Sequence, residues 1–371
     1  MSELSDELYK VLSPYLKSDK LTHVFAECGD FFEESPHFSF QIAKKNGNEL
    51  RGDRVYEDIF DVSSLTKALV TTPLVFNELL KSEKLHLDQD VSQWLMGCKH
   101  NLSDALSKLK IRDLLRHKSG LPAWRNFWIQ RLDVLDTLNK PDVRSSLGSS
   151  EVLYNRNLYI EKTLNRFAND LHQKGEFIYS DLGFILLGFI LELRNKKSLD
   201  QLFNDFASID LQRNKNWIGF VSEGFPLERC ISTGYCFLRK RPLHGEVHDE
   251  NCAALYGISG HAGLFANGRA IVSYLRSLLK SKVGKTLLYE NLKYLQEGND
   301  PLCGWRQRSN IPLPYFVLGH LGFTGTAFWL SKDADRYLVL LTNRVISGRI
   351  APWISSLRAS CYEIMQKSFK S

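Results

Sequence analysis

The chain has 371 residues, of which 43% are hydrophobic and 24% are charged, and 48 Lys and Arg against 42 Asp and Glu give a net charge of +6. That balance is typical of a globular protein and excludes collagen, coiled coil and intrinsic disorder. Because the basic residues are scattered and form no stripe with interleaved aromatics, we expect no nucleic-acid partner.

Other features of the composition bear on location. No segment reaches the roughly 20 apolar residues that span a bilayer, and the best candidate is 184–190. Glu3, Asp6 and Glu7 stand where a secretory signal needs positive charge before an apolar run. The seven cysteines are irregularly spaced, which favours free thiols in a reducing compartment. We therefore expect a cytoplasmic monomer, or a periplasmic protein if the chain is a trimmed mature form.

Hydrophobic periodicity predicts the elements of the N-terminal region. Residues 2–17 are typical of an amphipathic helix that is interrupted near Pro14. Strands are predicted over 23–28, 38–43 and 54–62. From Ser64 the apolar spacing becomes helical, and this helix is expected to bend at Pro73 and to end near Lys84.

The remaining pattern predicts the fold class. Residues 85–290 are mostly helical in pattern, and strands return at 315–318, 325–330 and 337–341, before a final helix over about 351–367. Strands at both ends of the chain predict one sheet assembled from the two termini. We therefore predict an α/β (α+β) fold, an antiparallel sheet flanked by helices, together with a mostly helical domain. The sheet-bearing domain would be 1–84 with 291–371, the helical domain 85–290, and a functional cleft would lie at their junction.

The segment Ser64-Leu65-Thr66-Lys67 carries the first chemical signal. Residues three apart share a helix face, so the amine of Lys67 can reach the hydroxyl of Ser64. The free N–H groups and the positive dipole end of a helix N-terminus favour an oxyanion at the same place. Alone the pattern is weak, because 107–110 and 277–280 match it as well.

Two further segments with polar side chains that could take part in catalysis follow later in the chain. Tyr179-Ser180-Asp181 precedes an apolar helix, and His320-Leu321-Gly322 precedes Phe323 and a strand. Ser180 and Asp181 are also good helix caps, and capping alone is the alternative interpretation.

These motifs resemble those of the serine β-lactamase and penicillin-binding protein superfamily, in particular its class C β-lactamase, D-Ala-D-Ala carboxypeptidase and esterase branch. The likeness extends over most of the chain. Its landmarks are 60–67, 114–122, 260–265 and 341–344. The resemblance implies a β-lactamase/transpeptidase-like fold and a serine hydrolase that needs no metal and no cofactor.

The resemblance also implies roles for individual residues. Ser64 would attack a carbonyl of a small-molecule or peptide substrate and form an acyl-ester, while Lys67 and Tyr179 exchange protons. The backbone N–H groups of Ser64 and Phe323 would form the oxyanion hole. Asp181, His320 and Gly322 would contact the substrate.

Neither proton acceptor is a base at neutral pH without help, because an unperturbed lysine has a pKa of about 10.4 and a tyrosine about 10. Burial lowers the pKa of a lysine, whereas a nearby carboxylate raises it. If Asp181 is ionised and close, we assign Lys67 as a charged partner and Tyr179 as the base.

The third motif departs from the Lys-Thr-Gly of penicillin-recognising enzymes, in which the cation helps to hold the substrate carboxylate. With an unperturbed pKa of about 6.5, His320 would be charged only about a quarter of the time at pH 7. This difference favours the esterase-like branch, or substrates whose carboxylate is met elsewhere. Arg344 and Arg349 either supply that cation or are surface arginines.

The function thus predicted is acyl transfer to water from a β-lactam, a D-alanyl peptide or a small carboxylic ester. The alternative is a catalytically silent sensor or scaffold that is acylated without turnover. A zinc site at His244 and His248 is a further alternative, although Gly245 replaces the glutamate of the metalloprotease pattern. His117 and His261 are interpreted as loop-anchoring side chains.

Overall fold

A computed structural model describes residues 3–45, 47–51, 57–130, 150–207, 217–221, 225–297, 302–307 and 316–369. The α-helices are α1 (Glu3–Lys17), α2 (Thr72–Lys81), α3 (Val91–Trp94), α4 (Asp104–Ser107), α5 (Ile111–Leu115), α6 (Ser150–Arg166), α7 (Asp181–Asn195), α8 (Leu199–Ala207), α9 (Glu250–Ala254), α10 (Gly268–Lys280), α11 (Lys282–Gln296) and α12 (Ile354–Gln366). The strands are β1 (His23–Asp30), β2 (Phe38–Lys45), β3 (Asn48–Arg51), β4 (Phe60–Asp61), β5 (Ile218–Phe220), β6 (Gly234–Cys236), β7 (Arg241–Leu243), β8 (Leu264–Ala266), β9 (Arg306–Gln307), β10 (Phe316–Leu321), β11 (Ala327–Ser331) and β12 (Arg336–Thr342).

The main sheet unites the two ends of the chain. Its order is β3-β2-β1-β12-β11-β10-β9, and every neighbouring pair is antiparallel. The register of the central pair places Ala26 opposite Leu340. The predicted antiparallel sheet from both termini, flanked by helices, is confirmed.

Strict alternation along the strands separates two hydrophobic cores. On β12, Leu338 and Leu340 pack with α1 and α12, whereas Val339 and Leu341 face the larger core that holds α2 and α7. Successive strand side chains point to opposite faces of a sheet, so both faces are buried. Helix α10 also packs against β1 and β12. The predicted division into 1–84 with 291–371 and 85–290 remains a prediction.

A second sheet has three strands in the order β4-β8-β5. Its strand β4 ends directly before the serine motif. The strand predicted over 54–62 is wrong in extent among the described residues, where only Phe60–Asp61 is strand; residues 52–56 lie outside them. β4 pairs with β8 and not with the main sheet, which is why the chain can turn away after Asp61.

The helix predicted from Ser64 begins with a wide turn. Lys67–Thr71 is a π-helix, and the N–H of Thr72 donates to the Lys67 carbonyl before α2 continues to Lys81. The winding thus changes from π to α directly before Pro73, and the bend predicted there remains a prediction.

Two helices differ from expectation or extend it. The interruption predicted near Pro14 is wrong, because α1 is continuous from Glu3 to Lys17. Helix α7 is buried on all sides from Leu182 to Glu192, as its continuous apolar sequence requires. In the described part of the chain, no helix combines the length and the apolarity that crossing a membrane demands.

Candidate active site

The chain turns sharply between β4 and the helix that follows. Ser63 has a φ of 51°, a left-handed conformation that costs a non-glycine residue about 1 kcal/mol or more. Its N–H donates to Asp61 Oδ1 at 2.8 Å, which stabilises the turn. Ser64 follows, only partly buried, at the start of the helical segment.

Lys67 is fully buried one turn after Ser64. Its Nζ donates to Ser64 Oγ at 3.0 Å and to the carbonyl oxygen of His261 at 3.0 Å, and lies 2.7 Å from Asp181 Oδ1. The helical spacing thus brings the two side chains together as predicted. The ammonium is thus held by the Ser64 hydroxyl, the His261 backbone carbonyl and the Asp181 carboxylate.

The charge state of Lys67 follows from this surrounding. Burial is the largest influence and opposes the charge, but Asp181 and Tyr179 together raise the pKa of Lys67 above its ordinary value. Lys67 is therefore an ammonium at neutral pH. The carboxylate of Asp181 is close to the amine, as the condition stated from the sequence requires.

Helix α7 presents Asp181 to Lys67. Ser180 is its N-cap and accepts from the Gly183 N–H through Oγ, while the Asp181 N–H donates to the Ala123 carbonyl. Ser180 therefore serves as the cap, and Asp181, in the first turn, forms the ion pair. Capping and the electrostatic role coexist.

Tyr179 lies beside the ammonium. Lys67 Nζ is 5.1 Å from the centroid of its ring, and the ring of His117 packs on it at 4.4 Å. His117 Nδ1 accepts from the Ser180 N–H at 2.9 Å, so this buried histidine anchors the Tyr179 loop, as predicted. Burial, then Lys67 and Arg306, lower the pKa of His117 well below its ordinary value, so the ring is neutral.

Two backbone donors remain available at the serine. In the described chain, neither the Ser64 N–H nor the Phe323 N–H donates a hydrogen bond to protein. Their loops are joined: Thr324 Oγ1 donates to the Asp61 carbonyl at 2.7 Å, and Thr326 Oγ1 to the Val62 carbonyl at 3.1 Å. Free donors on two connected loops are what an oxyanion site needs.

Gly322 permits this close approach of the turn after β10. A Cβ at this position would lie 2.0 Å from Thr326 Oγ1 and 2.6 Å from the Val62 carbonyl oxygen. The glycine of the third motif is therefore required by packing against the nucleophile loop.

His320 lies on the same side of the site as Tyr179, with ring centroids 6.2 Å apart. Its Nδ1 is 2.9 Å from the Leu321 carbonyl oxygen, and its Nε2 is buried without a protein partner within the described residues. Burial, then Lys67, Arg306 and His117, lower the pKa of His320 well below its ordinary value. His320 is thus neutral, and less able to hold a carboxylate than the sequence alone indicated.

Arg344 is buried, and the interpretation of it as a surface arginine is wrong. Its Nε donates to the Phe323 carbonyl at 2.5 Å, and its guanidinium stacks 4.1 Å from the centroid of the Phe323 ring. It thus holds Phe323, whose N–H is one of the two available backbone donors. Arg349 is exposed, ion-paired with Glu250, and 5.3 Å from the Phe323 ring centroid.

Arg306 is a cation that the sequence interpretation missed. It lies on β9, pairs in register with Gly319, and its guanidinium is 5.5 Å from the centroid of the Tyr179 ring. No carboxylate pairs with it among the side chains of the described ranges. No motif marks it, because it reaches the site only through strand pairing.

The histidines of the zinc alternative do not converge in the structure. His244 is exposed with Nε2 2.9 Å from the Cys230 carbonyl oxygen, and His248 is buried with its ring 5.7 Å from that of Phe323. Within the described ranges, the clusters of acidic and histidine side chains close enough to share an ion are Asp30, Glu33 and His37, and Asp181, Asp249 and His261. Neither cluster contains His244 or His248.

Most of the chain matches a known protein family. The family described as Beta-lactamase matches residues 46–353. The chain belongs to the β-lactamase family. It is a serine hydrolase of this family, as the motif resemblance implied.

Several relatives place this β-lactamase-family chain among hydrolases. It is 27% identical to the N-acetylmuramyl-L-alanine amidase of Bacillus subtilis, over 79% of this chain and 70% of the relative. It is 25% identical to a putative D-alanyl-D-alanine carboxypeptidase of Escherichia coli, over 77% and 69%.

Solved structures share its fold. The D-amino acid amidase of Ochrobactrum anthropi superimposes with a TM-score of 0.66 at 16% identity, over 99% of this chain and 100% of that one. EstCE1, a hydrolase with promiscuous acyltransferase activity, gives 0.64 at 20% identity over 98% of each chain. A class C β-lactamase from Rhodobacter sphaeroides gives 0.62 at 13% identity, over 99% and 100%.

Proposed function

We propose that this β-lactamase-family chain hydrolyses an acyl substrate through an ester on Ser64, with Lys67 as a permanent cation and Tyr179 as the proton acceptor. The observation that carries the proposal is the buried Lys67 ammonium, 3.0 Å from Ser64 Oγ and 2.7 Å from Asp181. A lysine paired in this way is a poor base, so the proton of Ser64 must go to another group.

The steps follow from that assignment. Ser64 Oγ bonds to the carbonyl carbon as its proton passes to Tyr179, and the oxyanion is stabilised by the N–H groups of Ser64 and Phe323. The carbonyl–leaving-group bond breaks as Tyr179 returns the proton to the leaving amine or alcohol. Water then gives a proton to Tyr179 as its oxygen bonds to the ester carbonyl carbon. The bond between that carbon and Ser64 Oγ breaks as Tyr179 passes the proton to Ser64 Oγ, which releases the acid and restores the serine.

We further propose that the substrate is an amide or ester that carries a carboxylate near the scissile bond, such as a D-alanyl peptide or a β-lactam. Arg306, stacked on Tyr179 at 5.5 Å, supports this choice because it has no carboxylate partner among the described residues. The neutral His320 beside it cannot supply the charge at neutral pH. Relatives named as an amidase and a putative D-alanyl-D-alanine carboxypeptidase agree with amide chemistry.

A substrate panel tests the reaction. Release of D-alanine from a diacetyl-Lys-D-Ala-D-Ala peptide, nitrocefin opening and p-nitrophenyl acetate hydrolysis are measured for wild type and Ser64→Ala. We expect turnover of at least one substrate that Ser64→Ala abolishes. Turnover that survives in Ser64→Ala refutes the proposal, and acylation of Ser64 without turnover establishes the silent sensor instead.

Substitutions of Arg306 and His320 test whether the site prefers substrates that carry a carboxylate. Arg306→Gln should lower kcat/KM for the carboxylate-bearing substrates by about tenfold or more relative to p-nitrophenyl acetate, as loss of one charged hydrogen bond predicts. His320→Lys should raise the same ratio. Arg349→Gln is the control, since its guanidinium is already paired with Glu250. An unchanged ratio in Arg306→Gln excludes Arg306 as the recognising cation.

A further inference from the structure

A second histidine–carboxylate pair lies behind the ammonium of Lys67. His261 Nε2 is 2.8 Å from Asp249 Oδ1, and His261 Nδ1 is 2.9 Å from Ser259 Oγ. Both ring nitrogens are thus engaged, and the ring is 1% exposed. Ser259 is also buried, so this arrangement resembles a Ser–His–Asp triad without an accessible nucleophile.

The pair is attached to Lys67 through the backbone. Lys67 Nζ donates to the His261 carbonyl oxygen at 3.0 Å. The turn that carries this carbonyl is fixed by Thr71 Oγ1, which donates to the Gly260 carbonyl at 2.6 Å, and by Leu264 N–H, which donates to Thr66 Oγ1 at 3.1 Å. A shift of the His261 ring would therefore move one of the three groups that hold the ammonium.

The pair also acts on Lys67 through charge. One ligand atom each of Asp181, Asp249 and His261 lie within 4.8 Å of one another, so two carboxylates lie close together beside Lys67. Burial alone would raise the pKa of Asp249, but His261, the Cys252 N–H and Lys67 hold it below its ordinary value. Asp249 is therefore ionised. The ammonium of Lys67 favours the ionised form of Asp249, and the Asp249 carboxylate favours the charged form of Lys67 in return.

We propose that Asp249 and His261 are a positioning pair for the catalytic ammonium: the pair fixes the carbonyl that holds Lys67, and Asp249 supplies a second negative charge beside it. This inference rests on the proposed function of Ser64 and Lys67.

The experiment uses substitutions that separate charge from shape. Asp249→Asn keeps Oδ1, which accepts both from Cys252 N–H at 2.8 Å and from His261, and asparagine remains a good helix cap. Asp249→Glu keeps the charge. Asp58→Asn is the control, because it removes a buried carboxylate 3.7 Å from another histidine, His23, away from Lys67.

The measurement is the rate of Ser64 phosphonylation by a fluorophosphonate between pH 5 and 10.5, with p-nitrophenyl acetate turnover in parallel. We expect Asp249→Asn to move the limbs of the profile to lower pH by about half a unit to one unit, as loss of a nearby negative charge predicts. Asp249→Glu and Asp58→Asn should keep the wild-type profile. His261→Gln should lower the maximal rate by about tenfold, because the anchor of the carbonyl is weakened.

Other charged and titratable groups surround Asp249 and respond to the same change. They are Asp61, Lys67, Asp181, His248, Cys252, His261 and Arg349. The Asp58→Asn control and a thermal unfolding curve for each variant separate a local charge effect from loss of folding.

The outcomes separate the two proposals. If Asp249→Asn lowers the maximal rate of phosphonylation but leaves both limbs of the profile at the wild-type pH, the positioning proposal is overturned. Asp249 then has only a structural role. Wild-type protein that fluorophosphonate does not label at Ser64, with no turnover of any panel substrate, overturns the proposed function itself.

Discussion

At the scale of single residues, the charge of Lys67 is decided by the balance between burial, which opposes it, and the neighbouring groups, which favour it. Its complete burial would discharge an isolated lysine, and Asp181 at 2.7 Å prevents that. Spacing in the sequence was enough to bring Ser64 and Lys67 together, because three residues make about one helical turn. It could not place Arg306, whose approach to Tyr179 depends on the pairing of β9 with β10.

Asp181→Asn tests this balance. Burial, the largest influence on Lys67, is then opposed mainly by Tyr179, and the pKa of Lys67 falls. We expect the alkaline limb of kcat/KM to move to lower pH by at least about one unit. The sign follows because an ammonium with a lowered pKa is lost earlier as the pH rises.

The control for this prediction is Asp200→Asn, which changes an acidic residue in the first turn of the neighbouring helix α8. It should leave the profile in place. If Asp181→Asn also leaves the alkaline limb unmoved, Asp181 does not set the charge of Lys67 and only stabilises the N-terminus of α7.

At the scale of elements, the site depends on how the turn after β10 docks on the chain after β4. Thr324 and Thr326 donate to the carbonyls of Asp61 and Val62, so the loop of Phe323 is tied to the loop of Ser64 by two hydrogen bonds. Short apolar runs predicted the long strands of the main sheet well, since strands such as β1 and β12 are buried on both faces. The sequence overestimated β4: among the described residues only Phe60–Asp61 is strand, and Ile59 before it forms an isolated bridge with Cys230.

Gly322→Ala tests the docking. The new methyl group would meet Thr326 Oγ1 at 2.0 Å and the Val62 carbonyl oxygen at 2.6 Å, so the turn must move away. We expect kcat to fall by about 10- to 100-fold with little change in KM, because displacement of the Phe323 N–H weakens one oxyanion donor. Steady-state kinetics with p-nitrophenyl acetate measure both constants.

Gly183→Ala is the matched substitution, since its methyl group would lie 3.6 Å from the nearest atoms. It should retain wild-type kcat. Equal loss in both variants would show that the kinetic effect of Gly322→Ala is not specific to the turn.

At the scale of the whole molecule, the main sheet divides the protein into two layers with different tasks. The outer core joins α1 and α12 to one face, and the inner core contains Leu65 and α7 next to the site. The sequence predicted this division only through the location of strands at both termini. Which helix covers which face depends on packing between distant segments, which no local pattern encodes.

Leu12→Ala separates stability from activity. This fully buried side chain of α1 belongs to the outer core, and its truncation should lower the free energy of unfolding by about 2–4 kcal/mol. Urea unfolding measures that loss, and kcat/KM of the folded protein at 25 °C should be unchanged. The exposed Lys10→Ala on the same helix should alter neither quantity. A loss of kcat/KM in folded Leu12→Ala would mean that the outer layer shapes the site.

The wide turn at Lys67–Thr71 has a consequence for how this segment can vary. Its carbonyl at Lys67 accepts both the N–H and, at 2.8 Å, the hydroxyl of Thr72, so the loop of backbone holds one residue more than an ordinary α-turn. Deleting one residue of 68–71 would turn this bond into an ordinary α-helical one and leave α2 in its place, so the cost of such a deletion falls on the contacts of the lost side chain. Homologous chains are therefore expected to lack one residue here more often than within the regular turns of α2.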